Sequence, residues 1–503
     1  MISTTDWHGM AADADLTIEN LIDGQAKPIT GDITITKYSP RDGHLLYRFN
    51  NGSEADVNAA VASARNAYND GRWQDLALGQ RQSVLNKLAD LIEMHKDRFA
   101  LYECLDVGKP ISNALTLDIG SATSVLRGSA NKASQLLAPC GADGGAFAYQ
   151  RRKPIGVVGG ITGWNYPLTL AANKLGPALI MGNSVVLKPS EFTSLSTRLL
   201  AELALEAGVP PGVFNVVHGA GSTVGATLAA HPDVDLLSFV GSSATGKQIM
   251  IAAGQSNMKR LVLECGGKSP YLVFDDCPDD LDALADDIVA KAFPNQGALC
   301  VAGTRLLLQT GIKEKLMPLI LEKSTAIKAS DPLDPSTTFG ALINEDHMNK
   351  VLAYIDSGKT QGAQLLCGGH RVYPKGQQDL QHGFYIEPTI FDNVSPDARI
   401  AQEEIFGPVL CVMSFNTEEE AIAMANNTTF GLAGYAATKN LARAQRLGQR
   451  LSTGTLVLRG SNKQPAGGVS IASEKQRQSG VGYSGGVEGL AAYTVTTTVH
   501  VLT

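Results

Sequence analysis

From residue 155 the chain alternates short β-branched segments with helical segments, and this alternation constrains the fold more than any other feature. Up to residue 265 the apolar runs are IGVVGGIT, SVVLKP, FNVVHG, LLSFVG and RLVLEC, and a segment with helical spacing follows each of the first four. Strands that alternate with helices in this way are typical of a parallel sheet with helices on both faces. We therefore predict a doubly wound α/β domain.

A second series of the same kind begins at PYLVFDD, residues 270–276, and ends near residue 460. Ahead of both series, residues 53–135 place apolar side chains three and four positions apart, which predicts helices that cover the sheet. The last segment, YTVTTTVHVL at 493–502, is a strand pattern without a helix to cover it. We expect it to pair outside the main sheets or with another subunit, since an unpaired strand edge invites association.

Length and charge exclude several classes of protein. A chain of 503 residues exceeds one compact core and predicts two or three domains. The net charge of −7, with no run of Lys and Arg, argues against binding to nucleic acid. The acidic N-terminus lacks the pattern of a secretion signal, and Pro177 and Gly182 interrupt the most apolar stretch. We therefore expect neither export nor a membrane span.

The seven cysteines and nine histidines are dispersed along the chain. No CxxC pair or other ligand spacing occurs, so the sequence predicts no metal site. An odd number of scattered cysteines in a large chain is typical of a reducing compartment. We expect a cytoplasmic location.

Polar segments follow several predicted strands, at the edge of a parallel sheet where ligands bind. In TGWNYPL, Asn165 could donate its amide to a developing negative charge, or it could simply turn the chain before Pro167. In LKPSEFTS, Lys188 and Glu191 could grip the vicinal hydroxyls of a sugar, and such a carboxylate would repel the 2′-phosphate of NADP. A helix cap with an acidic first turn is the alternative explanation of this segment.

Two further segments hold a carboxylate and a thiol. In LECGGKSP, Glu264 ends an apolar strand, and the glycines after it favour a cleft because they let another group approach closely. A surface position at the strand end is the alternative. In NQGALCVAGTR, Cys300 has small neighbours that leave room for a substrate to reach its sulfur, although any single cysteine is more often inert packing.

The stretch FVGSSATGKQ, residues 239–248, contains Gly241, Gly246 and Lys247 at the spacing of a nucleoside-triphosphate P-loop. Gln248 stands where such a loop needs a Ser or Thr for Mg²⁺, which argues against a P-loop nucleoside-triphosphatase. The alternative is a turn whose following helix points its N–H groups at the pyrophosphate of a dinucleotide, with Gly246 letting that helix pack close to the sheet. We favour the dinucleotide.

Taken in order along the chain, these segments resemble the aldehyde dehydrogenase superfamily. The resemblance also includes KLGPALIMGNSVVLKPSE, GVFNVVHG, EPTIF, QEEIFGPVL and GLAAYTVTTTV, and the texture is similar to that of NAD-linked bacterial enzymes that oxidise amino- or polyamine-derived aldehydes. It implies an α/β fold with two doubly wound, Rossmann-like domains and a β-strand extension for oligomerisation. The NAD-binding domain would comprise 1–132 and 154–266, the catalytic domain 267–480, and the oligomerisation segments 133–153 and 481–503.

The resemblance also implies a mechanism. Cys300 matches the family nucleophile and would attack the aldehyde carbon as a thiolate, while Asn165 and the Cys300 backbone N–H would hold the resulting oxyanion. Hydride would then pass from the thiohemiacetal to NAD. Glu264 matches the general base that activates water to hydrolyse the thioester, and it could activate the thiol beforehand. The residue types suit this chemistry, since covalent capture turns the aldehyde into a hydride donor and a separate base releases the acid.

Contacts to the cofactor and the substrate follow from the same resemblance. The implied cofactor contacts are Trp164, Lys188, Glu191, Gly241, Ser242, Thr245, Gly266, Glu404 and Phe406. The implied substrate contacts are Tyr166, Asn173, Leu299 and Arg459. No metal ligand is implied.

Departures from the family pattern bear on the substrate. Arg459 replaces an Asn that commonly ends a strand, within an irregular segment at 454–480, and Asn173 replaces a large aromatic residue that relatives often carry. We expect a more polar tunnel and a polar or anionic substrate, for which the Arg459 guanidinium is a candidate partner. A structural salt bridge at a domain or subunit interface is an equal alternative for Arg459.

Other functions on this scaffold differ in the group that accepts the acyl chain. An acylating enzyme that uses coenzyme A, or an esterase, shares the thioester chemistry, whereas Glu264 favours water as the acceptor. A catalytically silent structural protein would not need the matched residues together. The expected partners are a small aldehyde and further copies of the chain, as a homodimer or homotetramer, because the C-terminal strand lacks a cover.

Overall fold

Two mainly parallel sheets form the framework of the chain in a computed structural model that describes residues 5–136, 140–143, 146–374, 376–461 and 471–502. The first sheet has eight strands, in the spatial order Gln25–Lys27, Asn20–Ile22, Phe214–Val216, Ser184–Lys188, Val157–Ile161, Leu236–Val240, Arg260–Glu264 and Gly480–Val481. The five central strands run parallel, and antiparallel strands lie at both edges. The predicted doubly wound arrangement is confirmed for this part of the chain.

Helices cover both faces of the first sheet because its buried strands are apolar on both sides. Along one strand Val185 and Leu187 pack into one hydrophobic cluster, while Val186 between them packs into another. The helices of the first face are Leu78–Met94, Lys96–Val107, Ile119–Lys132, Pro167–Ile180 and Leu195–Ala207. Those of the second face are Glu54–Asn69, Ala226–Ala230 and Ser243–Gln255.

The second sheet repeats this architecture. Its seven strands lie in the order Gln364–Cys367, Thr389–Asp392, Val409–Phe415, Arg305–Gln309, Pro270–Val273, Ala433–Ala437 and Thr455–Arg459. The first strand is antiparallel to the second, and the other six strands run parallel to one another. The helices that pack on its two faces are Leu281–Ala292, Thr310–Ala326, Glu345–Thr360, Arg399–Gln402, Glu418–Asn426 and Leu441–Arg450.

The remaining elements of the described chain are short. The remaining helices and turns are Trp7–Ala12, Ile111–Asn113, Ala114–Asp118, Ala133–Gln135, Gly221–Gly225, Pro294–Gly297, Gln378–Leu380 and Gly486–Ala491. Short antiparallel pairs join Thr34–Tyr38 to Leu45–Asn50, Phe430–Gly431 to Gln476–Arg477, and Ser473–Glu474 to Tyr483–Ser484. Among the residues that the structure describes, no helix is long and apolar enough to cross a membrane.

The C-terminal strand lies outside both main sheets, as predicted. Thr494–Leu502 pairs antiparallel with Ala146–Pro154 of the same chain, and Cys140–Asp143 adds a third strand to this small sheet. The strand Gly480–Val481 instead pairs with Leu263 and Glu264. The chain therefore adds Gly480–Val481 to the edge of the first sheet before Thr494–Leu502 joins the small three-stranded sheet, which we call the extension.

Gly246 lets its helix pack closely on the first sheet. A Cβ atom at Gly246 would lie 2.7 Å from Cys265 Sγ, whereas a Cβ atom at Gly254 in the same helix would meet no atom within 4 Å. We expect Gly246→Ala to lower the free energy of unfolding by about 1–3 kcal/mol because of this overlap. Gly254→Ala should raise it by about 0.5–1 kcal/mol through helix propensity. Melting temperatures from calorimetry test the pair, and equal values for the two variants would contradict this packing argument.

Candidate active site

Cys300 lies in a loop whose backbone is held in an unusual conformation. The loop follows the turn Pro294–Gly297, in which the φ angles of Asn295, Gln296 and Gly297 are 49°, 56° and 77°. Residues other than glycine rarely adopt positive φ, and such conformations persist only where the surroundings enforce them. The surroundings of this loop therefore fix the direction in which Cys300 is presented.

Hydrogen bonds fasten this loop to the segment that carries Asn165. Asn295 Nδ2 donates to the backbone carbonyl of Asn165 at 3.0 Å, and Asn165 Nδ2 donates to the carbonyl of Ala298 at 2.9 Å. The segment of Asn165 and the loop of Cys300 are thus held against each other. The role of Asn295 in this fastening was not predicted. The only signal in the sequence is the residue type, because Asn adopts positive φ more often than most residues.

The paired glycines after Glu264 allow two close approaches. A Cβ atom at Gly266 would lie 2.3 Å from Glu404 Oε2, and one at Gly267 would lie 2.2 Å from the carbonyl oxygen of Cys300. The N–H of Gly267 also donates to Glu404 Oε1 at 3.0 Å. The paired glycines therefore allow another side chain and another backbone segment to approach closely, while Glu264 itself lines a cavity of about 270 Å³.

The thiol of Cys300 is neutral in this arrangement. Burial raises its pKa to about 12, and the carboxylates of Glu404 and Glu264 add to the rise. The loop is also held from the other side, where Tyr435 Oη donates to the carbonyl of Val301 at 2.8 Å. A neutral buried thiol needs a base or a change of surroundings before it can act as a nucleophile.

The carboxylate of Glu264 is surrounded by donors. Lys174 Nζ and Ser484 Oγ donate to Glu264 Oε1 at 3.3 and 2.5 Å, and Lys475 Nζ lies 3.8 Å from the same oxygen. Burial alone would raise the pKa of Glu264, but Lys174, Lys475 and the Ser484 hydroxyl lower it to about 2. Glu264 is therefore ionised and ion-paired. None of these three donors was predicted from the sequence.

Lys188 and Glu191 form the pair expected for a sugar contact. Lys188 Nζ donates to Glu191 Oε2 at 2.9 Å, and the N–H of Gly221 donates to Glu191 Oε1 at 3.3 Å. Burial would raise the pKa of Glu191, but Lys188 and backbone N–H groups lower it overall. An ionised, partly exposed carboxylate at this position can accept hydrogen bonds from a diol.

The glycine-rich turn leads into a helix that is capped by Ser242. Ser242 Oγ accepts a hydrogen bond from the N–H of Thr245 at 3.1 Å, and the helix Ser243–Gln255 starts there. At Gly241 a Cβ atom would lie 2.5 Å from the ring of Phe239. The start of this helix is exposed and carries the positive end of the helix dipole, which suits a pyrophosphate.

Aromatic rings line the region next to Glu404. Trp164 packs edge-on against Phe406 and His347, with ring centroids 5.1 and 5.2 Å apart. His347 Nε2 bonds the carbonyl of Phe406 at 2.7 Å, and burial lowers the pKa of His347 to about 4. Phe406 has a φ of 58°, which this contact helps to hold. His347 was not predicted, since its position before Met348 in a helix carries no local signal.

The donor set fits NAD. Glu191 and Glu404 can each accept from ribose hydroxyls, the helix start after Gly241 can face the phosphates, and the Trp164 cluster offers an apolar wall. Within the described ranges no group of three or more His, Cys, Asp or Glu could hold a metal ion.

The predicted substrate residues lie in different surroundings. Tyr166 covers the ammonium of Lys109, which lies 4.2 Å from the ring centroid and is buried with Asp118 at 2.6 Å. Burial raises the pKa of Tyr166 to about 12, although Lys109 opposes the rise. Leu299 is half-buried beside Cys300. Tyr166 and Leu299 remain predicted substrate contacts.

Asn173 and Arg459 were expected to make the substrate tunnel polar. Asn173 lines a cavity of about 270 Å³ together with Glu264 and Ser484. Arg459 Nη1 lies 3.5 Å from a carboxylate oxygen of Asp287. This ion pair is structural in kind, but it joins a strand of the second sheet to a helix packed on that sheet and not two domains or subunits. Residues 462–470 of the irregular segment lie outside the described residues.

The electrostatic coupling of Cys300 and Glu264 can be tested by alkylation. Because the charge of Glu264 raises the pKa of Cys300, Glu264→Gln should lower that pKa and increase the thiolate fraction. We expect iodoacetamide to modify Cys300 about 2- to 10-fold faster in this variant, measured by peptide mass spectrometry without cofactor. Cys367 in the same samples is the internal control. Slower modification of Cys300 would show instead that Glu264 acts as the base for the free thiol.

Comparison with known proteins agrees with this geometry. The sequence model described as "Aldehyde dehydrogenase family" matches residues 29–499. The indole-3-acetaldehyde dehydrogenase AldA of P. syringae, solved in complex with NAD+ and IAA, is 42% identical over 99% of both chains with a TM-score of 0.95.

Two other solved structures are equally similar. The aldehyde dehydrogenase KauB of Pseudomonas aeruginosa is 41% identical over 99% of both chains with a TM-score of 0.95. The gamma-glutamyl-gamma-aminobutyraldehyde dehydrogenase of Burkholderia cenocepacia is also 41% identical over 99% of both chains, with a TM-score of 0.94. With the match to the family model over nearly its whole length, the chain belongs to the aldehyde dehydrogenase family.

Proposed function

We propose that this chain oxidises an aldehyde to its carboxylic acid with NAD, and that Cys300, Asn165 and Glu264 carry the chemistry. One observation supports these roles above the others. Hydrogen bonds fasten the Asn165 segment to the loop that carries Cys300, and the strand end that carries the ionised Glu264 approaches the same loop at Gly267.

The first step is attack by Cys300 Sγ on the aldehyde carbon, after the thiol has lost its proton. The carbonyl oxygen becomes an oxyanion and needs hydrogen-bond donors. Asn165 Nδ2 carries two N–H bonds, of which one donates to the Ala298 carbonyl, so the second is available to the oxyanion. The backbone N–H of Cys300 is the other donor in this proposal.

Bound NAD supplies the acceptor for the hydride that leaves the carbon of the thiohemiacetal. In our assignment, Glu191 and Glu404 hold the ribose hydroxyls, and Trp164 and Phe406 exclude water beside the thiol. The net lowering of the Glu191 pKa keeps that carboxylate ionised at neutral pH, which disfavours a 2′-phosphate. We infer a preference for NAD over NADP.

Glu264 completes the reaction in this proposal. It takes one proton from water as the water oxygen forms a bond to the thioester carbon, and the bond from that carbon to Cys300 Sγ then breaks. The acid leaves and the thiolate is restored. We infer that water accepts the acyl group, because a carboxylate at this site can act as the general base that water needs.

The substrate we infer is an aldehyde with a polar end. Asn173 and Ser484 make one wall of the cavity beside Glu264 polar, and a structurally similar protein is a gamma-glutamyl-gamma-aminobutyraldehyde dehydrogenase. The ion pair of Arg459 with Asp287 supports a structural role for Arg459 rather than contact with the substrate.

Loss of the nucleophile tests the proposed reaction. We expect Cys300→Ser to lower kcat for NADH formation at least about 10³-fold while the melting temperature is retained, because hydroxyl oxygen is a far weaker nucleophile here. Cys367→Ser, at the edge of the second sheet, is the matched control and should keep full activity. A panel of neutral, cationic and carboxylated aldehydes is assayed with and without coenzyme A. NADH formation that depends on coenzyme A, or that survives in Cys300→Ser, would contradict the proposal.

We also propose that the chain forms a homo-oligomer through its three-stranded extension. The strands Ala146–Pro154 and Thr494–Leu502 expose Phe147, Tyr149 and Leu502, and exposed strands with apolar side chains invite pairing. All seven cysteines are free thiols, which supports a reducing, cytoplasmic location.

Sedimentation velocity tests the assembly. The full chain should sediment as a dimer or tetramer at micromolar concentration because the extension buries apolar surface against a second copy. The double variant Phe147→Glu and Tyr149→Lys should shift it toward the monomer, since charges would then lie in the interface. A monomeric full chain would contradict the proposal, as would an unchanged assembly in this variant.

A further inference from the structure

The base Glu264 is held by a segment from the far end of the chain. Ser484 Oγ donates to Glu264 Oε1, and Lys475 Nζ donates in turn to Ser484 Oγ. Lys475 is nearly inaccessible, with 3% of its side chain exposed, while 26% of the Glu264 side chain is exposed. A buried ammonium directed at a hydroxyl and a carboxylate is therefore part of the surroundings of the base.

The backbone fixes both donors. The strands Ser473–Glu474 and Tyr483–Ser484 pair with each other, and Gly480–Val481 between them pairs with Leu263 and Glu264. The segment 473–484 is thus docked on the strand end that carries the base. Its position leaves Lys475 and Ser484 little freedom to follow Glu264 if that side chain moves.

In this arrangement the carboxylate is not engaged with the nucleophile. No hydrogen bond joins Glu264 to Cys300 in the part of the chain that the structure describes, and Glu264 lines the cavity of about 270 Å³ that it shares with Asn173 and Ser484. Cys300 does not line that cavity. The three donors all contact Oε1, so movement of the carboxylate toward a water beside the thioester breaks contacts on that oxygen.

We propose that Lys475 and Ser484 are positioning residues that hold Glu264 in this retracted arrangement, so that their contacts govern how readily the base reaches the thioester. The inference rests on the proposed roles of Cys300 and Glu264. Lys475 acts through Glu264 and Ser484, and it touches neither substrate nor cofactor in this assignment.

Several charged and titratable groups face the retracted carboxylate. Lys174 contributes from the helix Pro167–Ile180, Lys475 from the docked segment, and Cys300 lies on the side of the second sheet. Lys132 and Tyr483 also line the shared cavity. After removal of Lys475, Lys174 still holds the carboxylate, so the retracted state weakens without being abolished.

Removal of a donor to Glu264 should speed hydrolysis of the thioester and shift its pH dependence. A carboxylate held by two ammonium groups is a weak base, and removal of either cation or of the hydroxyl makes departure from the retracted state easier. The pKa of the carboxylate also rises toward the ordinary value when a cation is removed. The pH at which hydrolysis falls off on the acid side should therefore move upward, since the less supported carboxylate is protonated at higher pH.

Single-turnover experiments with Lys475→Met test the proposal. The holoenzyme with NAD is mixed with less than one equivalent of aldehyde, and enzyme-bound acyl group and free acid are quantified after acid quench. We expect the hydrolysis rate constant to rise roughly 5-fold, the size expected when one ion pair of a partly exposed carboxylate is removed. Formation of the acyl-enzyme should keep its rate, and the acid limb of hydrolysis should shift upward in pH.

Companion variants separate positioning from general damage. Ser484→Ala should raise the hydrolysis rate in the same direction by a smaller factor, and Lys475→Arg should restore slow hydrolysis because it keeps the charge. Lys439→Met, which removes an exposed ion pair with Asp279, is the matched control for a Lys→Met change. If Lys475→Met does not fold, Ser484→Ala and Lys475→Arg provide the same test.

Two results would overturn the inference. One is hydrolysis that slows or stays unchanged in folded Lys475→Met or Ser484→Ala, and the other is a rise without any change in the acid limb. Failure of the proposed function is recognised separately. Glu264→Gln that hydrolyses the acyl-enzyme as fast as the native chain would remove Glu264 from its role, whatever Lys475 does.

Discussion

The approach of the Cys300 carbonyl to Gly267 is the contact on which the geometry of the site depends. Any side chain at Gly267 would overlap that carbonyl, with a Cβ atom only 2.2 Å away. The contact joins the end of a strand in the first sheet to a loop of the second, so each sheet sets the position of one of the two proposed catalytic groups. Glu264 lies three residues before Gly267, so the strand end that carries Glu264 is anchored close to the loop that carries Cys300.

Much of the fold and part of the site could be predicted because their signals are local. The β-branched runs and the helices between them occupy the predicted positions, since both periodicities are written in neighbouring residues. Asn165, Glu264 and Cys300 could be proposed because Asn165 follows an apolar strand, Glu264 ends one, and small residues surround Cys300 in the sequence. Lys475 and Ser484 could not be found in this way, since 220 residues separate Ser484 from Glu264 and only the topology brings them together.

Arg459 illustrates the same limit for charges. Its replacement of an Asn indicated a functional or structural carboxylate partner, but the sequence contains 49 Asp and Glu residues and does not say which. In the fold, Asp287 accepts a hydrogen bond from Tyr271 Oη at 2.6 Å and lies beside Arg459. Partner choice is set by how the helix Leu281–Ala292 packs on the sheet, which is a property of the tertiary structure.

The charges around Cys300 also bear on the order of events in the proposed reaction. A buried thiolate next to the carboxylates of Glu264 and Glu404 is costly, as the raised pKa of Cys300 expresses. While Glu264 is paired with Lys174 and Lys475, much of its charge is balanced, so the thiolate forms at lower cost than it would beside a free carboxylate. Once the thiol has become a neutral thioester, that penalty is gone and the base can approach. In the proposed reaction, electrostatics therefore favour a retracted Glu264 before acylation and its approach afterwards.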